Sequence, residues 1–547
     1  MLGSAPEHLS WKKPLDTQVI IVGAGPVGLT LSIDLGRRGV RCILLEQKAA
    51  PQFLPKMERC NARTMEIYRR MGLAEKIRDA GFPRDVPMDV FIVTSLVEPP
   101  LLHLPYPSVA QAQAQIAATN DGTQPLEPYQ LISQYTLEPL LKSVADSMPT
   151  IDVRYACEFQ GFEQGTDGVR ARVKRGTGVE HITADYLVGC DGGSSLTRRQ
   201  LGIKLQGDAN LQQFRQALYK CDDLFDRIPI GKGRHYHVAD AQSSFLITQD
   251  STKHFTLHSV VDTDADMATM FEKVVAMPVK YEMLSVGQWR QNLLLADKYR
   301  DGRVFLAGDA VHLVIPTGGL GMNSGVGDAY DLSWKLAATL KGWGGPKLLD
   351  SYEVERRQVG GHNVEASRQA SRGRRAWRAM VKPNIRDNTP EGAETRAALS
   401  RVADVEQRKS NEMIGAELGY RYVGSPVIFA EEGEGPPHDF MTYVPSTWPG
   451  ARLPHVWLAD GTALHDKIGD GYTLLRLGNS AANSAPLARA FAERSVPFAT
   501  LDIADQRPRE IYGHDLLLLR PDLHVVWRGN ALPGEADKLA ALATGHH

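Results

Sequence analysis

The sequence predicts an α/β protein: a dinucleotide-binding βαβ domain interrupted by an inserted antiparallel sheet, followed by a separate small α/β domain. Three observations predict it. An apolar strand, a glycine turn and a helix follow one another over residues 18–39. Short runs of alternating apolar and polar residues fill 151–190 and 205–290. Buried-type strands return at 472–477 and 516–519, with helical stretches between and after them. At 547 residues and 60.2 kDa the chain is too long for one compact core, so roughly two to four domains are expected.

Hydrophobic residues at 43% and charged residues at 23% are the proportions of a soluble globular protein. A net charge of -2 gives no basic surface for nucleic acid or for an acidic membrane. No apolar run reaches the ~18 residues that would span a bilayer. Residues 1–13 are polar, with Trp11 among them, and hold no signal-peptide core. The five cysteines (Cys42, Cys60, Cys157, Cys190, Cys221) show no Cys-x-x-Cys spacing. No disulfide framework and no metal site is therefore expected, and free thiols suit a cytoplasmic location.

Element by element, residues 18–22 read as a buried parallel strand, 26–38 as a helix with proline in its first turn and Gly39 closing it, and 41–46 as the next strand. Within Gly23-Ala24-Gly25-Pro26-Val27-Gly28, Gly23 allows the tight turn, Gly25 lets the backbone approach a pyrophosphate, and Gly28 lets helix and strand pack closely. The helix N-terminus offers free N–H groups to phosphate. Glu46, 18 residues past Gly28, is placed to accept from ribose hydroxyls, with Gln47 beside it. Residues 64–80 and 131–145 read as helices, the second with Gln134 and Glu138 on one face, and 83–130 as strands and loops. A helix follows over 329–340. The arginine-rich stretch 363–412, with Arg368, Arg372, Arg374, Arg375 and Arg378, reads as helices or linker whose charges are solvated or paired. Asp191-Gly192 and Gly308-Asp309 add two further glycine-rich sites, roughly 170 and 120 residues from their preceding partners. Three such sites converging on one long anionic object point to FAD.

These stretches resemble the signatures of flavoprotein aromatic hydroxylases of the p-hydroxybenzoate hydroxylase fold: residues 23–28, Asp191-Gly192 followed by Ser195 and Arg198, and Gly308-Asp309. Asn61-Ala62-Arg63-Thr64-Met65-Glu66-Ile67 and Ser133-Gln134-Tyr135-Thr136-Leu137-Glu138 fit as well. Gly419-Tyr420-Arg421-Tyr422, Pro449-Gly450-Ala451-Arg452-Leu453-Pro454-His455 and Leu519-Arg520-Pro521-Asp522 resemble the subgroup with a thioredoxin-like tail, which includes phenol hydroxylase, 3-(3-hydroxyphenyl)propionate hydroxylase and polyketide hydroxylases. The tail here lacks cysteine, so packing or dimerisation is its expected role and a homodimer one expected assembly. The division implied is an FAD domain over 16–90, 130–204 and 291–380, a substrate sheet over 91–129 and 205–290, a helical linker over 381–445 and the tail over 446–547.

The resemblance implies that Gly23, Gly25, Pro26, Val27 and Gly28 cradle the pyrophosphate. Glu46 would hold the ribose, Arg63 and Gln134 would contact the cofactor, and Asp309, next to Gly308, would hydrogen-bond the ribityl chain. Gly319, Gly321, Met322 and Asn323 would start a helix aimed at the flavin, and Pro316 would sit over its ring. Asp191, Gly192 and Arg198 would serve FAD or the pyridine nucleotide, with a turn-stabilising role as the alternative for Asp191. Only one dinucleotide fingerprint occurs, so NADPH or NADH would bind transiently, reduce FAD, and let O2 form a C4a-hydroperoxyflavin that attacks a phenolic or catecholic ring, with loss of a nitro or halide substituent as a variant. Two alternatives stand beside it: a tailoring hydroxylase of a polycyclic polyketide, and a non-catalytic flavin-binding protein. For the small aromatic substrate, Glu58 is a candidate base or orienter and Arg59 a candidate carboxylate or cofactor clamp, against a solvent-facing loop pair. His235 and His237, on one face of a strand, are candidates against ordinary sheet residues. Tyr281 and Trp289 are expected in the core.

Overall fold

The computed structural model describes residues 14–478 and 480–547. The polar leader expected at residues 1–13, with Trp11, lies outside the described residues. β1 (Val19–Val22) and β2 (Cys42–Leu45) are buried along their whole length, as parallel strands covered on both faces must be. α1 (Pro26–Arg37) joins them. The single helix expected at 64–80 is two, α2 (Ala62–Arg70) and Ala74–Ala80, because Gly72 breaks it at φ 74°. β3 (Val90–Val93) falls in the stretch expected to be strands and loops, which also contains a helix, Val109–Ala118. That helix buries only Val109 and Ile116, so its alanines and glutamines carry no apolar period to read.

α3 (Gln134–Asp146), β4 (Ile151–Arg154), β5 (Tyr186–Gly189) and the short α4 (Leu196–Gln200) follow. Then come β6 (Gln213–Lys220), β7 (His235–Val238), β8 (Phe245–Thr248), β9 (His254–Ser259), α5 (Asp266–Val275) and β10 (Glu282–Arg290). β11 (Val304–Leu306) returns the chain to the first sheet. α6 (Gly321–Leu340) and α7 (Pro346–Arg378) come next, so much of the arginine-rich stretch is one long helix.

The first sheet runs Arg300–Asp301, β11, β5, β1, β2, β4, with every pair from β11 to β4 parallel. The chain leaves β1 toward β2 on one side and β5 on the other. Its switch point, where open α/β sheets bind ligands, is therefore the carboxyl end of β1. α1 and α6 cover one face, and an antiparallel sheet of Cys157–Gln164, Val169–Arg175 and Gly178–Ala184 covers the other.

The second sheet runs β10, β6, β9, β8, β7, β3 and Leu102–Leu104. It is antiparallel throughout except where β7 pairs β3. One face buries Tyr219, Leu246, Phe255 and Leu257 with Phe271 of α5. By strand alternation the other face is left for the space between the sheets.

The tail forms a four-stranded sheet of β12 (Tyr472–Leu477), β13 (Phe498–Ile503), β14 (Leu516–Leu519) and β15 (Val525–Gly529), in the order β13, β12, β14, β15. Among the described residues no helix is long and apolar enough to cross a membrane.

Candidate active site

A cavity of about 1040 Å³ runs from the end of β1 to the open face of the second sheet. At its first end the backbone turns at Gly23, φ 103°, where a Cβ would lie 2.4 Å from the Cys190 carbonyl oxygen. Gly28 lies behind the wall: a Cβ there would sit 2.0 Å from the Gly23 oxygen. Gly25 lines the cavity, where a Cβ would meet only Glu138 Oε1 at 3.9 Å, and Pro26 and Val27 continue the lining. No side chain caps α1, so its first N–H groups are available to an anion. Glu46 accepts from the N–H groups of Ala24 and Lys48, 3.0 Å each, one on each oxygen. Each oxygen keeps capacity for a hydroxyl donor. Gln47 lines the cavity beside it, and Gln134 does so while donating to Glu138 at 2.5 Å. Burial pushes the Glu138 carboxyl up from its usual range.

Asp191 has the turn-stabilising geometry. It accepts from the Ser195 hydroxyl at 2.5 Å and from the N–H and hydroxyl of Thr197 at 3.0 and 2.9 Å, and with Gly192 it lines the cavity. Arg198 does not reach the cavity. Its guanidinium donates to the carbonyls of Ala310 and Gly193, 2.8 Å each, and so ties the second glycine site to the third.

Gly308, at φ 65°, likewise sits behind the wall, its N–H on Asp328 at 3.1 Å. Asp328 also accepts from His312 Nε2 and Arg356 Nε, 2.8 Å each. Burial opposes its charge, but Arg356 and His312 outweigh burial and hold the carboxyl below its usual range. Asp309 alone of this site faces the cavity, with no protein donor on its carboxylate among the described residues. Burial pushes that carboxyl up. Pro316, Gly319, Gly321, Met322 and Asn323 form the adjoining wall. Asn323 donates to the carbonyls of Gly319 (2.6 Å) and Arg59 (3.2 Å), and Arg59 donates to the Gly318 carbonyl at 2.5 Å. Arg59 therefore braces the loop that opens α6, with Glu417 at 3.3 Å as its carboxylate.

The second sheet offers five adjacent strands: Trp289 from β10, Phe214 from β6, His258 from β9, Phe245 from β8 and His235 from β7. Trp289, expected in the core, lines the cavity and stacks on Phe214 at 5.0 Å between ring centroids. It also donates to His258 Nδ1 at 3.1 Å. His258, stacked on Phe245 at 4.4 Å, is pushed down to about 3 by burial, so it is neutral with its proton on Nε2. His235 Nε2 lies 2.7 and 2.8 Å from the two oxygens of Glu58. Burial opposes the charge of Glu58, but His235, Arg234 and Arg59 outweigh it and hold the carboxyl at about 2. Glu58 is half-buried against His235 and Arg59 is buried, so the two are not a solvent-facing loop pair.

Two further expected residues lie elsewhere. Arg63 points away from the cavity, to Glu66 at 3.3 Å and the Asp522 carbonyl at 3.1 Å, because the tail packs on α2. His237 is covered by Trp377 and meets Gln407 at 3.1 Å, since α7 and the helix Pro390–Glu406 close over that end of β7. Conversely, Arg374, Arg375 and Arg378, expected to be solvated or paired, line the cavity. The spacing of Arg374 and Arg378 puts them on one helix face, which was the available signal.

Residues 16–367 match the FAD binding domain family, and residues 446–545 the aromatic-ring hydroxylase C-terminal family. The FAD-dependent monooxygenase apdD of Emericella nidulans is 33% identical over 96% of this chain and 90% of its own. A 4-methyl-5-nitrocatechol 5-monooxygenase of Burkholderia sp is 28% identical over 95% of each chain. The structure of RebC soaked with chromopyrrolic acid and holding 7-carboxy-K252c superposes with a TM-score of 0.89 at 34% identity, covering 98% of this chain and 100% of that one. The ternary complex of aklavinone-11 hydroxylase with FAD and aklavinone gives 0.82 at 27% identity, over 98% and 100% of the two chains.

Proposed function

The chain belongs to the FAD-dependent aromatic-ring hydroxylases, and from that premise we propose that it hydroxylates a polycyclic aromatic substrate in a tailoring reaction. One observation carries this reading. The substrate-side lining spreads over five adjacent strands, about 19 Å at the ~4.8 Å spacing of neighbouring strands. Phe214, Trp289, Phe245 and His258 furnish flat apolar surface along that span, and a single phenol or catechol would leave most of it bare. The relatives solved with aklavinone and with 7-carboxy-K252c support an extended ring system over the single ring expected from the sequence.

FAD fits the donor set: an open helix N-terminus at α1 for phosphate, Glu46 with spare capacity for ribose, and Asp309 with no donor among the described residues to occupy it. When bound, it supplies the oxygen-transfer chemistry with O2 and a reduced nicotinamide. The protein supplies position and charge. The N-terminal end of α6 places its positive dipole end at the loop beside Pro316. Glu58, held at about 2, stays ionised and is a poor base for a phenol. It instead fixes the ring of His235, whose second nitrogen accepts from a substrate hydroxyl and so enriches the ring to be attacked.

The test is nicotinamide consumption by the purified yellow protein, with product mass, against tricyclic and tetracyclic hydroxyquinones and a panel of phenols and catechols. A polycyclic compound should accelerate flavin reduction and gain one oxygen atom. Efficient oxygenation of a catechol with inert polycyclics would overturn the substrate reading. Absence of stimulation by any ring would return weight to a non-catalytic flavin protein.

A further inference from the structure

We propose that the end of the cavity under α7 is an anion subsite in which Arg374 receives a carboxylate carried by the aromatic substrate. The proposal rests on the extended-ring reading above and adds a charged group to it.

α7 lies over the second sheet at β8, where the guanidinium carbon of Arg374 stands 5.4 Å from the centre of the Phe245 ring. The side chain lines the cavity. Its Nε is buried with no hydrogen-bond partner among the described residues. The acidic group acting on it is Glu58, which is paired with His235 Nε2 at 2.7 and 2.8 Å and makes no hydrogen bond to Arg374 among the described residues. One turn along, Arg378 lines the same end and offers no relief. Its Nη1 and Nη2 donate to the carbonyls of Val238 and Ser244, 3.1 Å each, its Nε has no partner among the described residues, and Asp240 stands 4.0 Å away. Burial pushes both guanidiniums down, Arg374 to about 10 and Arg378 to about 9, and each still carries its charge at neutral pH.

Arginines gather at this end of the cavity, and Arg374 has no hydrogen-bond acceptor among the described residues, so the site lacks a counter-charge held directly on it. A guanidinium presents a planar fork of donors that matches a carboxylate on two bonds, whereas a phenolate oxygen would use only part of it. The Phe245 and His258 rings flank this end, so a carboxylate seated there would belong to a flat apolar body lying on the sheet. The α1 end, where the phosphate-type donors gather, is the opposite end of the cavity.

The test uses the FAD-loaded protein and two probes, anthraquinone-2-carboxylate and anthraquinone-2-carboxamide, which share a ring system and differ in charge. Dissociation constants are read from the perturbed flavin absorption. The unaltered protein should bind the carboxylate about tenfold more tightly than the carboxamide, the scale of a charge-assisted pair. Arg374→Gln should bring the two affinities to within about twofold, and Arg374→Lys should keep part of the preference, because it retains charge and loses the fork. Flavin content of each variant reports whether the fold is intact, and the two-probe comparison on the unaltered protein needs no variant. Equal affinities in the unaltered protein, no saturable binding of the carboxylate, or a preference that survives Arg374→Gln would each overturn the subsite. Binding is the readout, so this failure is separate from that of the hydroxylase reading, which appears as absent oxygen incorporation.

Discussion

Asp309 and Asp328 show how two carboxylates in one stretch of chain acquire different work. Asp328 is saturated by Gly308, His312 and Arg356 and fixes the backbone. Asp309 has no protein donor among the described residues and faces the cavity, so its hydrogen bonds are left for a ligand's hydroxyls. Asp309→Ala should therefore weaken FAD retention about tenfold with the fold unchanged, read as the flavin-to-protein ratio after gel filtration. A purified variant that still held one FAD per chain would remove this role. The residues legible in the sequence are those whose job is set by neighbours a few positions away: Gly23 and Gly28 by the turn, Glu46 by the strand end. Arg63, Arg198 and His237 lie away from the cavity because their partners Asp522, Ala310 and Gln407 lie 459, 112 and 170 residues further on, and no local pattern announces them.

At the level of elements, α6, α7 and the tail meet in a buried ionic cluster. Lys335 on α6 bonds Asp331 at 2.7 Å and Glu355 of α7 at 2.6 Å. Arg520, after β14, bonds Glu355 at 2.6 Å, Asp331 at 3.0 Å and Asp522 at 2.6 Å. Burial pushes Asp331 up to about 7; in Glu355 burial is outweighed by Arg520 and Lys335, which hold it at about 2. Together with Arg452 on Glu66 at 2.7 Å, the cluster gives the cysteine-free tail a bracing role toward the helices behind the FAD site. Arg520→Met strands three carboxylates with one lysine, and should lower the unfolding free energy of the flavin-loaded protein by about 3–5 kcal/mol. A denaturant midpoint that does not move would show the cluster to be dispensable.

For the whole molecule, buried histidines set the response to acid. Burial holds His258 at about 3, and His455 and His524 at about 4, against an ordinary histidine near ~6.5. Between those values the unfolded chain binds more protons than the folded one, so stability rises with pH across the window. It is fully present above the unfolded value and is lost on acidification, by about 3 kcal/mol for each histidine near pH 4. Glu58 and Glu66, both held at about 2, extend the loss below their unfolded value near ~4.5. Asp331, held at about 7, gains stability on protonation and offsets part of this, so melting temperature should fall below about pH 6.5 with the histidines outweighing it; a level profile down to pH 5 would contradict this.

The two sheets were legible at this scale as periods in the sequence, and their strand order was not. β3 pairs β7 through Phe91 and Tyr236, two strands far apart in the chain that carry no shared signal. The same distances shape how the protein is made. The FAD cradle draws on Gly23, on Arg198, and on Asp328 braced by Arg356, so its last buttress leaves the ribosome after about two thirds of the chain. At roughly 5–20 residues per second the βαβ unit waits tens of seconds for the partners that complete it. Flavin capture is then a late event in the life of the nascent chain, and early truncations will emerge colourless even when their first sheet has formed.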